Sequence, residues 1–187
     1  MLGPVRELRA GLLLIAQPLL WDPNFRRTVV LLCEHDASGS WGLVLNRRLP
    51  ITLREAAPAY FERDLPLFYG GPVQPNTLHY VHRYGELMEG AHRVSEGIYW
   101  GGSLETLQAL LRQREDIEGG LRFFAGYAGW SPGQLQRECE RNDWVVMPAD
   151  SRAVFDLDPE RLWRELLYGL GGEYRMLANF PEHPSLN

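Results

Sequence analysis

The stretch RFFAGYAGWSPGQ, residues 122–134, decides how this chain is to be read. Its opening residues have the apolar, aromatic character of a strand, expected over residues 121–125. Gly126 and Gly129 then set off Tyr127 and Trp130. Ser131, Pro132 and Gln134 follow at the N-cap, N1 and N3 spacing of a helix, in which cap and N3 side chains satisfy each other's backbone N–H and proline is preset for the first turn. That helix is expected to run to about Asn142 and to bury Leu135 and Cys139. A strand that passes through glycines into so explicit a helix start is the place to look for function.

Outward from this junction, apolar runs at residues 12–15, 28–33 and 42–45 read as strands, the first two joined by a connection at residues 18–25 and the last two by a turn at 36–41. Thr52 and Glu55 form a capping box that starts a short helix, which Pro58 limits. Residues 78–83 and 94–100 are strands around a glycine-containing turn, and Ser103 caps a helix whose Leu104, Leu107 and Leu111 share one face. Residues 144–147 return as a strand. Asp158 and Pro159 open a final amphipathic helix in which Leu162, Trp163, Leu166, Leu167 and Leu170 recur at helical spacing, ending at Gly171 and Gly172. The tail from Tyr174 onward reads as irregular. The expected fold is α+β, a mixed, largely antiparallel sheet with helices packed on it, in a single compact domain over residues 1–187. Leu78 is where a boundary between two lobes would fall.

A chain of 187 residues with 45% hydrophobic and 11% aromatic content can bury a core, which excludes disorder. Its net charge of -5 gives no help with phosphate backbones and argues against direct nucleic-acid binding. All 19 basic residues are Arg, which removes Schiff-base and phosphate-loop lysines from the available chemistry, and they form no clustered patch. Cys33 and Cys139 lack CxxC spacing and read as buried free thiols. Arg6 and Arg9 before an apolar run mimic a secretion signal, but Gln17 and Pro18 split the run and no small-residue cleavage site follows. The run is therefore expected to be a core strand of a cytoplasmic protein. No stretch approaches the roughly 20 apolar residues of a membrane span.

Glu34, His35 and Asp36 end a strand, where an imidazole between carboxylates has the chemistry of a general base or a metal ligand. Strand alternation places Glu34 and Asp36 on one side and His35 on the other. His79 and His82 form an HxxH pair, likewise split across a strand, so no metal is expected. At residues 68–74, Gly70, Gly71 and Pro72 make either a bend or a loop that lets a ligand reach the backbone, with Tyr69 and Gln74 as polar contacts. The absence of GxGxxG and GxxxxGK[ST] patterns points to no nucleotide cofactor. The Ser131 helix start would suit a small anion or carboxylate unless Ser131 and Gln134 use its amides themselves. No serine nucleophile motif, zinc finger or helix-turn-helix is visible.

Taken together, GLLLIAQPLLWDPNFRRTVVLLCEHDASGSWGLVLNR, FYGGPVQ and GYAGWSPGQLQRE resemble the YqgE/AlgH family over nearly the whole chain. The matching residues are Asp22, Pro23, Asn24, Phe25, His35, Asp36, Gly42, Asn46, Gly70, Gly71, Pro72, Tyr127, Gly129, Trp130, Gly133 and Gln134. The resemblance implies a cytosolic single-domain α+β protein. One branch of the family carries the label of transcriptional regulator, and the resemblance implies no catalytic residue. The expected function is a noncatalytic binding or regulatory protein for an unidentified small molecule or protein. Its candidate ligand-binding residues are Asp22, Asn24, His35, Asp36, Asn46, Gly70, Gly71, Tyr127, Trp130 and Gln134. The alternatives are a hydrolase-like enzyme using His35 or Asp36 with a distant partner such as Glu138, and a regulator that contacts nucleic acid.

Overall fold

Leu12–Ala16 is apolar at every position, the composition of a strand buried on both faces. In the computed structural model this strand, β1, sends Leu13 and Ile15 into one core and Leu12, Leu14 and Ala16 into another. The described residues are 7–180, so Arg6 and residues 181–187 of the tail lie outside them. β2 (Val29–Asp36) and β10 (Trp144–Pro148) flank β1, and β3 (Gly39–Val44) folds back along β2. β4 (Arg48–Thr52), β5 (Pro66–Tyr69), β6 (Val73–His82), β7 (His92–Ser95), β8 (Ile98–Trp100) and β9 (Leu121–Trp130) complete a 10-stranded sheet of order β10-β1-β2-β3-β9-β6-β8-β7, with β5 beside β9 and β4 beside β5. Among the described residues only the β5–β9 pair is parallel. One edge of β9 carries β6; the other is shared by β5, along Phe123–Ala125, and β3, along Ala128–Trp130.

Helices cover both faces. α4 (Ser151–Phe155) and α5 (Pro159–Leu170) bury Val154, Phe155, Trp163 and Leu167 against Leu13, Leu31 and Phe124. α3 (Gln134–Glu140) seals the opposite face with Leu135, while α1 (Leu53–Ala56) and α2 (Leu104–Gln113) enclose a further core around Phe123. The fold is thus α+β with a mixed, largely antiparallel sheet, in a single domain. Leu78 lies inside β6, whose ladder to β9 continues to His82, so the chain does not divide there.

The Thr52–Glu55 capping box, the Ser103 cap and the Asp158–Pro159 start form as the sequence dictates. The opening junction differs. β9 continues to Trp130, because Gly126 at φ 70 bends it without ending it. α3 begins at Gln134 with Gly133 as its N-cap, since the Gln134 carboxamide folds back to accept the Ser131 N–H at 3.0 Å and residues 131–133 are spent in a turn. The expected strand at 94–100 is a hairpin, β7 and β8, reversed at Gly97. Most of the segment 68–74 is strand, in β5 and the start of β6, and α6 (Gly172–Leu177) occupies part of the tail expected to be irregular.

Gly70 and Gly71 bring the β5–β6 connection against β9. A Cβ on Gly70 would lie 2.2 Å from the Gly126 carbonyl oxygen, and one on Gly71 would lie 2.2 Å from the Tyr127 carbonyl carbon. Gly70 N–H donates to Ala125 O at 2.9 Å and Gly70 O accepts from Val44 N–H at 2.8 Å, so this glycine ties β9 to β3. On the α3 side, Trp130 Nε1–H and Trp144 Nε1–H both donate to Glu138 Oε2 at 2.8 Å, and Gln134 Nε2–H donates to Oε1 at 2.9 Å. His82, fully buried, accepts the Tyr84 N–H on Nδ1, so Nε2 carries the proton and donates to Gly101 O at 2.9 Å. Burial lowers its pKa from 6.5.

Three outcomes are expected. Gly70→Ala destabilises by about 2–4 kcal/mol in urea unfolding, since the clash is with backbone; a near-neutral value would show that the approach relaxes. Glu138→Ala costs about 2–4 kcal/mol by stranding two indole donors, and Glu138→Gln costs less because an acceptor oxygen remains. Equal losses for the two variants would contradict this account of α3. A His82 pKa below 6.5 means that the unfolded chain takes up the proton first, so stability is full above about pH 6.5 and falls as pH drops below it, with His79 adding to the slope in the same direction. His82→Gln should lower stability near neutrality and flatten this slope between about pH 7 and pH 5, as read from denaturant midpoints.

Candidate functional site

Trp41 on β3, His79 on β6, Trp100 on β8 and Tyr127 on β9 sit on neighbouring strands and pack on the edge of the core that α4 and α5 cover. They remain half-buried. Trp41 meets Trp100 edge-on with ring centres 4.8 Å apart, and Tyr127 at 6.1 Å; His79 lies 5.6 Å from Tyr127 and 5.9 Å from Trp41. These rings line a groove of about 560 Å³. Gly129, directly opposite Trp41, supplies the groove with a position that has no side chain: a Cβ there would reach Tyr127 and Val73 only at 3.5 and 3.7 Å.

The rim is acidic. Glu34 is the cross-strand partner of Trp41 on the other side, so their side chains stand on the same face of the sheet. Asp36, at the end of the same strand and on the same face as Glu34, accepts the N–H and hydroxyl of Ser38 on its carboxylate, and these bonds hold its pKa below the usual carboxylate value. Thr77 Oγ1 donates to Gln74 O at 2.7 Å and therefore accepts from His79 Nε2–H at 3.0 Å, leaving Nδ1 as the unprotonated nitrogen of that ring. Desolvation lowers the His79 pKa and favours the neutral form.

The sequence candidates fall into separate places. Asp36, Tyr127 and Trp130 border the groove, although the Trp130 ring is 5% exposed, stacks on Phe25 and faces Glu138. His35 pairs across the hairpin with Ser40 and bonds it, Nδ1 to Oγ at 2.6 Å, on the side of the strand away from Glu34. Asp22, Asn24 and Asn46 belong to a clamped turn: Asp22 accepts the Asn24 N–H, Asn46 accepts the Val29 N–H and donates to Arg27 O, and Asn24 accepts from the Tyr69 hydroxyl. The Arg47 guanidinium closes this turn on the carbonyls of Pro23, Asn24 and Arg26. Gly70 and Gly71 are buried against β9, and Gln134 is engaged with Ser131 and Glu138.

Trp41, Trp100 and His79 escaped the sequence reading as ligand residues. The available signal was the strand parity that aligns Glu34 with Trp41, but the pairing of β3 with β9 and of β6 with β8 has no local signature. Among the described residues no group of His, Cys, Asp and Glu is placed to hold a metal ion. Both cysteines are free, with burial raising the Cys139 pKa to about 11 and that of Cys33 further. An arginine-lined hollow beside α5 has four of its five cations engaged: Arg47 as above, Arg161 with Glu165, Arg164 with Asn179, and Arg27 with Phe180 O and the Trp163 ring, Arg26 being the fifth. No helix among the described residues is long and apolar enough to cross a membrane.

Comparison with known proteins agrees with this architecture. A UPF0301 protein from Chlorobium luteolum is 45% identical over 182 residues, covering 97% of this chain and 96% of that protein. One from Cytophaga hutchinsonii is 35% identical over 96% of this chain and all of its own length. A crystal structure of a Corynebacterium diphtheriae protein superposes with a TM-score of 0.79 at 24% identity, covering 95% of each chain, a likeness of fold alone. The solution structure of the AlgH protein from Pseudomonas aeruginosa, a UPF0301 member, superposes at 0.74 with 30% identity, covering 98% of this chain and all of AlgH. The AlgH-like family profile matches residues 13–175, and the chain belongs to that family.

Proposed function

We propose that this chain is a noncatalytic cytoplasmic binding protein and that the Trp41–His79–Trp100–Tyr127 groove is its ligand site. The carrying observation is the four rings, contributed by four strands, left half-buried around a groove of about 560 Å³ with a glycine opposite Trp41. That volume lies in the range of small-molecule sites, which are concave, largely apolar and fixed by a few polar groups. A regulatory role would follow from ligand occupancy of this groove, and the regulator label attached to one family branch is read here in that sense.

The hydrolase-like alternative is less well supported. It has His35 or Asp36 act with a distant partner, yet His35 is bonded to Ser40 and Asp36 to Ser38. Glu138, the distant partner considered for it, already accepts from three side-chain donors. For nucleic acid, the net charge of -5 and an acidic groove rim offer no phosphate-binding face.

Gly129 provides a test expected to spare the fold, because its backbone is not in the left-handed region, a Cβ there meets only ordinary contacts, and the position is exposed. Gly129→Val should keep the unfolding free energy within about 1 kcal/mol of wild type. It should also abolish binding of fragment-library compounds, followed by the indole N–H signals of Trp41 and Trp100, while Trp41→Ala weakens the same compounds about tenfold or more. Compounds that bind Gly129→Val as tightly as wild type would place the ligand site elsewhere.

A further inference from the structure

The groove has an electrical character that its aromatic lining alone does not specify. Its carboxylates are Glu34 and Asp36, its imidazole is His79, and among the described residues no Arg lines it although the chain carries 19 of them. Asp36 remains ionised through its bonds from Ser38, and His79 is kept neutral. The Glu34 side chain is exposed and has neither a hydrogen bond nor an ion pair among the described residues. Ion pairs match Asp64 with Arg54, Asp156 with Arg83, Asp116 with Arg114 and Asp143 with Arg141, while exposed glutamates such as Glu62, Glu89 and Glu105 are unpaired among the described residues as Glu34 is; what sets Glu34 apart is its place beside the aromatic groove. An unmatched carboxylate whose cross-strand partner is Trp41, with Tyr127 and Trp100 at right angles to that ring and one face of Trp100 covered by His92 stacked at 4.5 Å, brings π-systems and negative charge together in the groove.

We propose that the groove binds a small organic ammonium ion, with the alkylated nitrogen against Trp41, Trp100 and Tyr127 and its charge balanced by Glu34 and Asp36. Aromatic quadrupoles attract such a cation most strongly where water is partly excluded, and alkyl groups on nitrogen suit an apolar wall better than a strongly hydrated ammonium does. The two carboxylates then act as a longer-range counter-charge. A free anion meets only repulsion at this rim, and a neutral ligand gains nothing from it. The inference rests on the groove being the ligand site and adds the chemical class of the ligand.

The probes are choline and its uncharged isostere 3,3-dimethylbutan-1-ol, titrated into the full chain at low ionic strength and followed by the indole N–H signals of all six tryptophans. Choline is expected to bind about tenfold tighter than the isostere and to shift Trp41 and Trp100 but not the buried Trp163. The double variant Glu34→Gln with Asp36→Asn, both exposed positions, should weaken choline about fivefold and leave the isostere unchanged. Equal affinity for the two probes, both lost in Gly129→Val, would overturn the ammonium assignment while the groove itself stands. Choline shifts confined to residues outside the groove, or no shifts with either probe, would overturn it as well, and in the first case would also count against the groove as the ligand site.

Discussion

The whole arrangement depends on one close backbone approach. At Gly70 and Gly71 the chain leaving β5 passes over β9 at a separation that no side chain would permit, and Gly126 bends β9 at the same point. This crossing lets a single strand serve two partners along one edge, β5 near its start and β3 near its end, while β6 holds the other edge. Without it, β3 would have no place beside β9, and the β10-β1-β2-β3 half of the sheet would lose its hydrogen-bonded link to the β6-β8-β7 half. Trp41 comes from the first half and His79 and Trp100 from the second, with Tyr127 on the strand that joins them. The groove therefore exists only because the two halves are one sheet.

The two faces of the junction do different work. On the α3 side, Trp130, Trp144 and Phe25 form a closed aromatic cluster whose indole donors are both satisfied by Glu138, which spares two buried N–H groups the cost of lacking a partner. On the other side, Trp41, Trp100 and Tyr127 stay half-buried at the edge of the core that α4 and α5 cover, and the carboxylate beside Trp41 has no ion pair among the described residues. A carboxylate spent on structure and one left unpaired stand on opposite faces of adjoining elements. This contrast is the physical basis for proposing binding on one face and architecture on the other.

Several features were legible from residues because their causes are local. Thr52 with Glu55, Ser103, and Asp158 with Pro159 fix helix starts through bonds within four residues, and β1 announces its double burial by having no polar position. The parity that separates His35 from Glu34 and Asp36 is likewise a property of any strand. Where competing local solutions existed, the sequence signal was ambiguous. Ser131 has the composition of an N-cap, but Gln134 took its amide first and moved the helix start to Gly133, and Gly126 and Gly129, which read as strand breakers, are tolerated inside β9. Asp22, Asn24 and Asn46 have the polarity of ligand residues, yet Arg47 and the carbonyls around it recruit that turn into the scaffold.

By itself the sequence determined the fold class, the positions of most strands and helices, and a glycine and aromatic chemistry that resembles one family, since each of these follows from spacing, composition or short-range bonds. Only the tertiary structure decided which of those residues meet. Strand pairing between segments as distant as β3, β6, β8 and β9 is set by burial of a shared core, and nothing in a local stretch encodes which edge a strand will occupy. That is why Trp41, His79 and Trp100 emerge as neighbours of Tyr127 only in the folded chain, and why Gly70 and Gly71, legible as unusual from the start, prove to hold strands together.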